Sequence, residues 1–174
     1  KTGLDNICIT GGVAQNSVAN GKILRNTPFK KMYVPSAGHD AGTSIGSALY
    51  LYNHILSNDR KEEIKTAYFG RKSDNNEVID CLEKYGVKYE KVDDDILFDR
   101  VSDKLVDGGV IGWFQGRSEL GPRALGARSV LADPRNINNK AKINQLLKKR
   151  DWFMPYAPSI LSDKMNLFFK DFSN

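Results

Sequence analysis

The chain has 174 residues, 40% hydrophobic and 27% charged, so it is long enough for one domain with a sizeable core or for one domain and part of another. Its net charge of +5 is mild; it suits an anionic ligand and permits nucleic acid without implying it. Cys8 and Cys81 lie in separate apolar runs, which predicts neither a disulfide framework nor a CxxC metal site. No apolar run approaches the roughly 20 residues that cross a bilayer, and we see no signal-peptide pattern. We therefore expect a cytoplasmic protein without a membrane partner.

The start of the chain indicates a longer protein. Lys1 is not an initiator methionine, and an apolar strand follows it almost at once. We therefore expect the chain to begin inside a fold.

The first 56 residues predict two helices and two strands. A strand over 4–10, a glycine turn, a helix over 13–24 and a strand over 31–34 form one unit. A second helix, with apolar residues at helical spacing, opens within 36–46 and runs to about Leu56. The polar run at 57–63 then marks a candidate boundary.

Beyond this boundary the same alternation continues. Ser73 is the expected cap of a helix that Gly86 ends. The pattern predicts helices over 75–85, 96–106 and 138–149, and strands over 88–92, 110–115 and 128–132. The alternation predicts a mixed α/β (α+β) fold.

The most informative stretch is the arginine segment, residues 112–129. It sets Arg117, Arg123 and Arg128 around Gly116, Gly121 and Gly126, with a single carboxylate, Glu119. Guanidinium groups bind oxyanions through two parallel hydrogen bonds, and glycines let a backbone turn tightly and approach a ligand. A solvated basic turn is the alternative; the absence of lysine and the interleaved apolar residues favour a phosphate site.

Two further motifs could carry chemistry. Gly11 and Gly12 lie between a strand and a helix, where amides often face an anion, and Asn16 lies just beyond them. A plain tight turn is the alternative. Asp40 lies at the mouth of a helix, where it either binds a metal ion or caps the helix. We interpret the neighbouring His39, which has no second histidine at helical spacing, as a polar loop residue.

Together these motifs strongly resemble the O-carbamoyltransferases of the nodulation and antibiotic-tailoring type. The motifs are GGVAQN at 11–16, PSAGHDAG at 35–42, the arginine segment and ADPR at 132–135. The resemblance covers nearly the whole chain. It implies an actin-like ATPase-type domain followed by a YrdC-like domain. We accordingly expect residues 1–58 to end the first domain, 59–70 to form a linker, and 71–174 to form most of the second.

The resemblance implies two reactions. Carbamoyl phosphate and ATP form carbamoyl adenylate with loss of pyrophosphate, and the carbamoyl group then passes to a hydroxyl of a small-molecule or saccharide acceptor. It also implies cofactors, namely ATP and a divalent metal, iron or magnesium. Asp40 is one ligand of that metal, and the family's histidine ligands would lie upstream of Lys1.

The site residues follow from the same resemblance. The arginines are the catalytic groups around the phosphates. Glu119 lies in the same site, where we expect it to orient an arginine and not to act as a base. The other substrate-binding and ATP-binding residues are Gly11, Gly12, Asn16, Ser129, Lys148 and Arg150. A solvated helix end remains the alternative for the last two. Met154 stands where the family often has arginine.

Two other functions fit the sequence less well. One is a nucleic-acid-binding YrdC-like module, for instance for tRNA, without carbamoyl transfer. The other is an inactive scaffold. The arginines cluster around glycines and are not interleaved with exposed aromatic residues, which favours a small anion over nucleic acid.

Overall fold

The computed structural model describes residues 2–62 and 64–170. Both outer ends of the predicted domains and one residue of the predicted linker lie outside this part. The chain divides into two compact units. The first comprises Lys1–Ser73 and Gly116–Ala127, and the second comprises Asp74–Gln115 and Arg128–Asn174. Each unit contains helices and strands, which confirms the mixed α/β class. No helix in the described ranges is long and apolar enough to span a membrane.

The first unit begins with a strand, helix and strand. Strand β1 (Asn6–Cys8) pairs in parallel with β2 (Lys31–Tyr33). A 3-10 turn (Gly12–Gln15) and helix α1 (Ser17–Asn26) connect them, because parallel neighbours need a crossover. This confirms the predicted order, with strands shorter than the apolar runs.

A second helix and a core of small side chains complete this unit. Helix α2 (Gly42–Tyr50) continues into a π-helical turn (Leu51–Ile55), which confirms the predicted helix to about residue 56. The buried apolar residues described in this unit are all alanines, namely Ala14, Ala37, Ala67 and Ala127. Small side chains let backbone segments approach closely, and residues 116–127 pack close to these alanines.

The second unit opens with helix α3 (Asn75–Lys84). Its cap is Asp74, whose Oδ1 accepts a hydrogen bond from the Glu77 amide at 2.9 Å, while Glu77 Oε2 accepts one from the Asp74 amide at 3.3 Å. This reciprocal capping box shows that Ser73 was the wrong choice of cap. Gly86, with φ of +63°, ends the helix as predicted.

Among the described residues, the rest of the second unit contains one antiparallel strand pair, three α-helices and a 3-10 turn (Ser162–Lys164). Strand β3 (Val110–Phe114) pairs antiparallel with β4 (Arg128–Ala132), and both were predicted. The helices are α4 (Asp94–Val106), α5 (Asn138–Lys142), which runs into a π-helical turn (Ile143–Leu147), and α6 (Met165–Phe168).

The strand predicted over 88–92 is wrong. These described residues form no strand, and side chains hold them instead. Tyr89 donates its hydroxyl to Glu83 at 3.2 Å, and Arg100 donates to Glu90 at 2.8 Å. A strand needs a neighbour to complete its hydrogen-bond ladder, and the alternation of apolar residues does not supply one.

Candidate functional site

The central part of the arginine segment, Gly116–Ala127, is called the arginine loop below. It belongs to the first unit and runs beside residues 67–72. The Gly70 amide donates to Ser118 at 2.9 Å, and the Leu120 amide donates to Ala67 at 2.6 Å. Arg117 forms an isolated antiparallel bridge with Lys72. Backbone hydrogen bonds thus hold the N-terminal half of the loop against residues 67–72.

The Glu119 side chain is buried and accepts hydrogen bonds from the backbone of its own loop. Its side chain is buried, with 4% of the residue exposed. Oε1 accepts hydrogen bonds from the amides of Leu125, at 2.7 Å, and Ala127, at 2.8 Å. A buried carboxylate that accepts backbone amides stabilises the turn it spans. Sequence reasoning missed this role, because the spacing of a carboxylate among arginines does not show which donors it meets.

Arg123 connects the loop with the glycine turn. Its Nη2 donates to the backbone carbonyl of Gln15 at 2.8 Å, and the residue is exposed. Arg117 is also exposed and donates from Nη1 to the Gly70 carbonyl at 3.0 Å. A guanidinium has five N–H donors, so one such bond fixes each side chain and leaves donors for an oxyanion.

Gly121 allows the close approach that this arrangement needs. Its φ is +113°, and a β-carbon there would overlap the carbonyl oxygen of Ser36. Any other residue would be strained and would push the loop away from residues 35–37. The glycine therefore has a packing role as well as a turn role.

The glycine turn contacts the PSAGHDAG motif directly. The Gly38 carbonyl accepts hydrogen bonds from the Gly11 amide and from Thr10 Oγ1, the latter at 3.0 Å. Asn16 Oδ1 accepts the Ala19 amide at 3.1 Å and so caps α1. The structure brings together, in one unit, the glycine turn, this motif and Arg123, three features that are distant in sequence.

Two buried polar atoms near this contact have no hydrogen-bond partner in the described part of the chain. They are Gln15 Nε2 and His39 Nδ1. A β-carbon on Gly38 would lie 2.9 Å from Gln15 Nε2, so the amide is pressed against the motif. Leaving such an atom unsatisfied costs about 1–3 kcal/mol. Sequence reasoning did not select Gln15.

Asp40 does not cap α2 with its carboxylate. The capping position is Ala41, which makes no side-chain hydrogen bond. The Asp40 backbone carbonyl accepts the Thr43 amide at 3.0 Å and Thr43 Oγ1 at 2.6 Å. Across residues 2–62 and 64–170, no group of three or more His, Cys, Asp or Glu side chains could hold a metal ion. Asp40 alone does not make a metal site.

The remaining predicted site residues lie in the second unit. Arg128 and Ser129 open β4, opposite Phe114 and Trp113. Lys148 follows the π-helical turn, and Arg150 lies two residues further on, where its Nε donates to Asn144 Oδ1 at 2.8 Å. The site residues therefore divide between the two units.

The fold and these contacts define a mixed α/β protein with an arginine loop suited to an oxyanion. Residues 1–49 match the family described as Carbamoyltransferase N-terminus, and residues 102–174 match Carbamoyltransferase C-terminus. The chain belongs to the carbamoyltransferase family.

Similar proteins are found in several bacteria. Nodulation protein NolNO of Sinorhizobium fredii is 41% identical over 97% of this chain and 25% of its own length. Nodulation protein NolO of Bradyrhizobium diazoefficiens is 39% identical over 97% of this chain and 31% of its own length. An uncharacterized Synechocystis protein is 41% identical over 98% of this chain and 29% of its own length. The chain thus spans less than a third of these relatives.

Proposed function

We propose that the chain is part of an ATP-dependent O-carbamoyltransferase that works in the cytoplasm. Its substrates are carbamoyl phosphate, ATP and a hydroxyl-bearing small molecule or saccharide. Family membership supports carbamoyl transfer, and the arginine loop supports a phosphorylated donor. Within this proposal residues 1–58 are the end of an actin-like domain, residues 59–70 are a linker, and residues 71–174 are most of a YrdC-like domain.

The proposed reaction has three steps. Water cleaves carbamoyl phosphate to carbamate and phosphate. A carbamate oxygen then attacks the α-phosphorus of ATP, forming carbamoyl adenylate as pyrophosphate leaves. Finally the acceptor oxygen attacks the carbamoyl carbon, AMP leaves, and the hydroxyl proton passes to solvent or to a base. Every step gathers or releases negative charge on phosphate oxygens, so fixed cationic donors lower its barrier.

The observation that carries the proposal is the hydrogen bond from Arg123 to the Gln15 carbonyl. It holds the Arg123 guanidinium beside the turn at Gly11 and Gly12. Both the guanidinium and the glycine turn are suited to binding phosphate. Glu119 fixes the loop backbone through its two amide hydrogen bonds. Donors that are positioned in advance need no reorganisation during the reaction.

The second unit contributes further proposed ligand contacts. They are Arg128 and Ser129 at the start of β4, and Lys148 and Arg150 after the π-helical turn. We propose Asn16 as a nucleotide contact in addition to its observed capping bond.

Asp40 is the proposed carboxylate ligand for a divalent iron or magnesium ion. It is exposed, and its carboxylate makes no hydrogen bond among the described residues. Because the described residues do not complete a metal site, we assign no step of the reaction to the metal.

Calorimetry tests the proposal through its cationic donors. We expect ATP and carbamoyl phosphate to bind the wild-type chain, and Arg123→Ala to weaken at least one of them by about 1.5–3 kcal/mol, the scale of a charge-assisted hydrogen bond. Arg60→Ala, an exposed arginine of the same unit, is the matched control and should leave both affinities unchanged. Binding of neither ligand by the wild type, or unchanged affinity in Arg123→Ala, would overturn the proposal.

A further inference from the structure

Asn144 is a fully buried polar residue that no sequence motif singled out. It lies in the π-helical turn Ile143–Leu147 with 0% of its surface exposed. Its amide nitrogen donates to the carbonyls of Trp152, at 3.1 Å, and Met154, at 3.0 Å. Its Oδ1 accepts from Arg150 Nε at 2.8 Å and from the Tyr156 hydroxyl at 2.6 Å. These four bonds use the whole hydrogen-bonding capacity of a side-chain amide.

All four bonds reach one irregular segment, residues 150–156. The Arg150 amide adds a fifth bond, to the Asn144 backbone carbonyl at 2.9 Å. The segment has neither helix nor strand, so its conformation depends on such contacts. One buried side chain therefore fixes a loop that has no backbone ladder of its own.

The same contacts orient the guanidinium of Arg150. Nε is held by Asn144, and the guanidinium carbon lies 4.7 Å from the ring centroid of Tyr156. Nη2 makes only a long bond, 3.5 Å, to the Pro155 carbonyl. Among the described residues, nothing forms a hydrogen bond with Nη1. The Arg150 guanidinium is thus held at Nε and against the Tyr156 ring, while Nη1 and Nη2 keep N–H donors for a ligand.

We propose that Asn144 is a positioning residue that aims Arg150 at a phosphate group of ATP or carbamoyl phosphate. This inference rests on the proposed function, which makes Arg150 a phosphate contact. Only an amide can do what Asn144 does, because it must accept from two donors and donate to two carbonyls. Aspartate would place a carboxylate oxygen against the carbonyls of Trp152 and Met154, and the repulsion would displace the oxygen that accepts from Arg150 Nε.

A double-mutant cycle on ligand affinity tests the inference. The variants are Asn144→Asp, Arg150→Met and the double variant, measured by calorimetry with ATP and with carbamoyl phosphate below their melting temperatures. We expect Arg150→Met to weaken binding about tenfold or more, as for one lost charge-assisted hydrogen bond. Asn144→Asp should weaken binding in the wild-type background and add nothing once Arg150 is gone. A second variant, Tyr156→Phe, removes one bond to Asn144, keeps the ring beside Arg150 and should show the same dependence with a smaller loss.

The outcomes separate the inference from the function on which it rests. If Asn144→Asp and Tyr156→Phe lower only the melting temperature, or weaken binding equally with and without Arg150, Asn144 is a loop clamp and the inference is wrong. If Arg150→Met itself leaves affinity unchanged while Arg123→Ala lowers it, the assignment of Arg150 is wrong and the arginine loop stands. If the wild type binds neither ligand, the proposed function fails.

Discussion

Arg123 Nη2 donates a hydrogen bond to the backbone carbonyl of Gln15, 2.8 Å away and 108 residues earlier in the chain. The bond ties the arginine loop to the turn that follows the first strand. The Arg123 guanidinium has two properties that a substitution can separate, its positive charge and its planar, forked set of N–H donors.

We expect Arg123→Lys to keep the charge and lose the fork, so that phosphate binding falls even though the net charge is unchanged. Affinity for ATP or carbamoyl phosphate should fall about tenfold, since lysine binds as a point charge without bidentate geometry. Calorimetry at two salt concentrations measures the loss. Arg60→Lys is the control, and affinity equal to the wild type in Arg123→Lys would show that charge alone suffices.

Glu119 should behave as a structural carboxylate. Glu119→Leu leaves the buried amide of Ala127 and the partly buried amide of Leu125 without their acceptor, at a cost of about 1–3 kcal/mol each. Glu119→Gln keeps an acceptor oxygen and should lose much less. Urea denaturation measures both variants. Glu62→Leu, at an exposed glutamate of the same unit, serves for comparison; equal stability of Glu119→Leu and Glu62→Leu would contradict the assignment.

Gly121 and Gly116 form a natural pair for testing close approach. Both have positive φ, +113° and +61°, but only a β-carbon on Gly121 would overlap Ser36. Gly116→Ala should cost about 1 kcal/mol from backbone strain alone, whereas Gly121→Ala should cost more. Thermal denaturation of the two variants compares them directly. A smaller loss for Gly121→Ala would mean that the loop does not pack against residues 35–37.

The ADPR motif supports a prediction about pH. Three hydrogen bonds from the Arg135 side chain, with the Arg135 amide as a further donor, lower the pKa of Asp133 from its ordinary value of 3.8. A lowered carboxyl pKa contributes stability that is present above pH 3.8 and is lost as the pH falls through the folded-state value. Arg135→Gln should therefore raise the pKa of Asp133 in an NMR titration. Arg100→Gln should leave it unchanged, and an unshifted Asp133 in Arg135→Gln would refute the pairing.

Metal binding by this chain should be weak. A single carboxylate gives little affinity for iron or magnesium without companion ligands. We expect metal analysis of the purified chain to find far less than one ion per molecule, with no change in Asp40→Asn. Stoichiometric metal that is lost in Asp40→Asn would show that residues outside the described ranges, or a rearrangement, complete the site.

Local chemistry in the sequence was enough to determine much of the fold. The turn and helix after Gly11 and the helix end at Gly86 depend on neighbours within a few residues, and apolar patterns located the strands β3 and β4. Apolar periodicity and glycine conformation record such neighbours directly. The composition of the arginine segment likewise predicts an oxyanion site, and that site stays a prediction for the binding experiments.

Only the tertiary structure decided which partners the polar side chains meet. Glu119 accepts amides of its own loop, Asn144 holds residues 150–156, and Arg123 reaches Gln15. The strand expected over 88–92 failed for the same reason, since no strand in the described part of the chain meets it. A hydrogen bond depends on distance and direction between groups that the fold brings together, and one-dimensional spacing contains neither quantity.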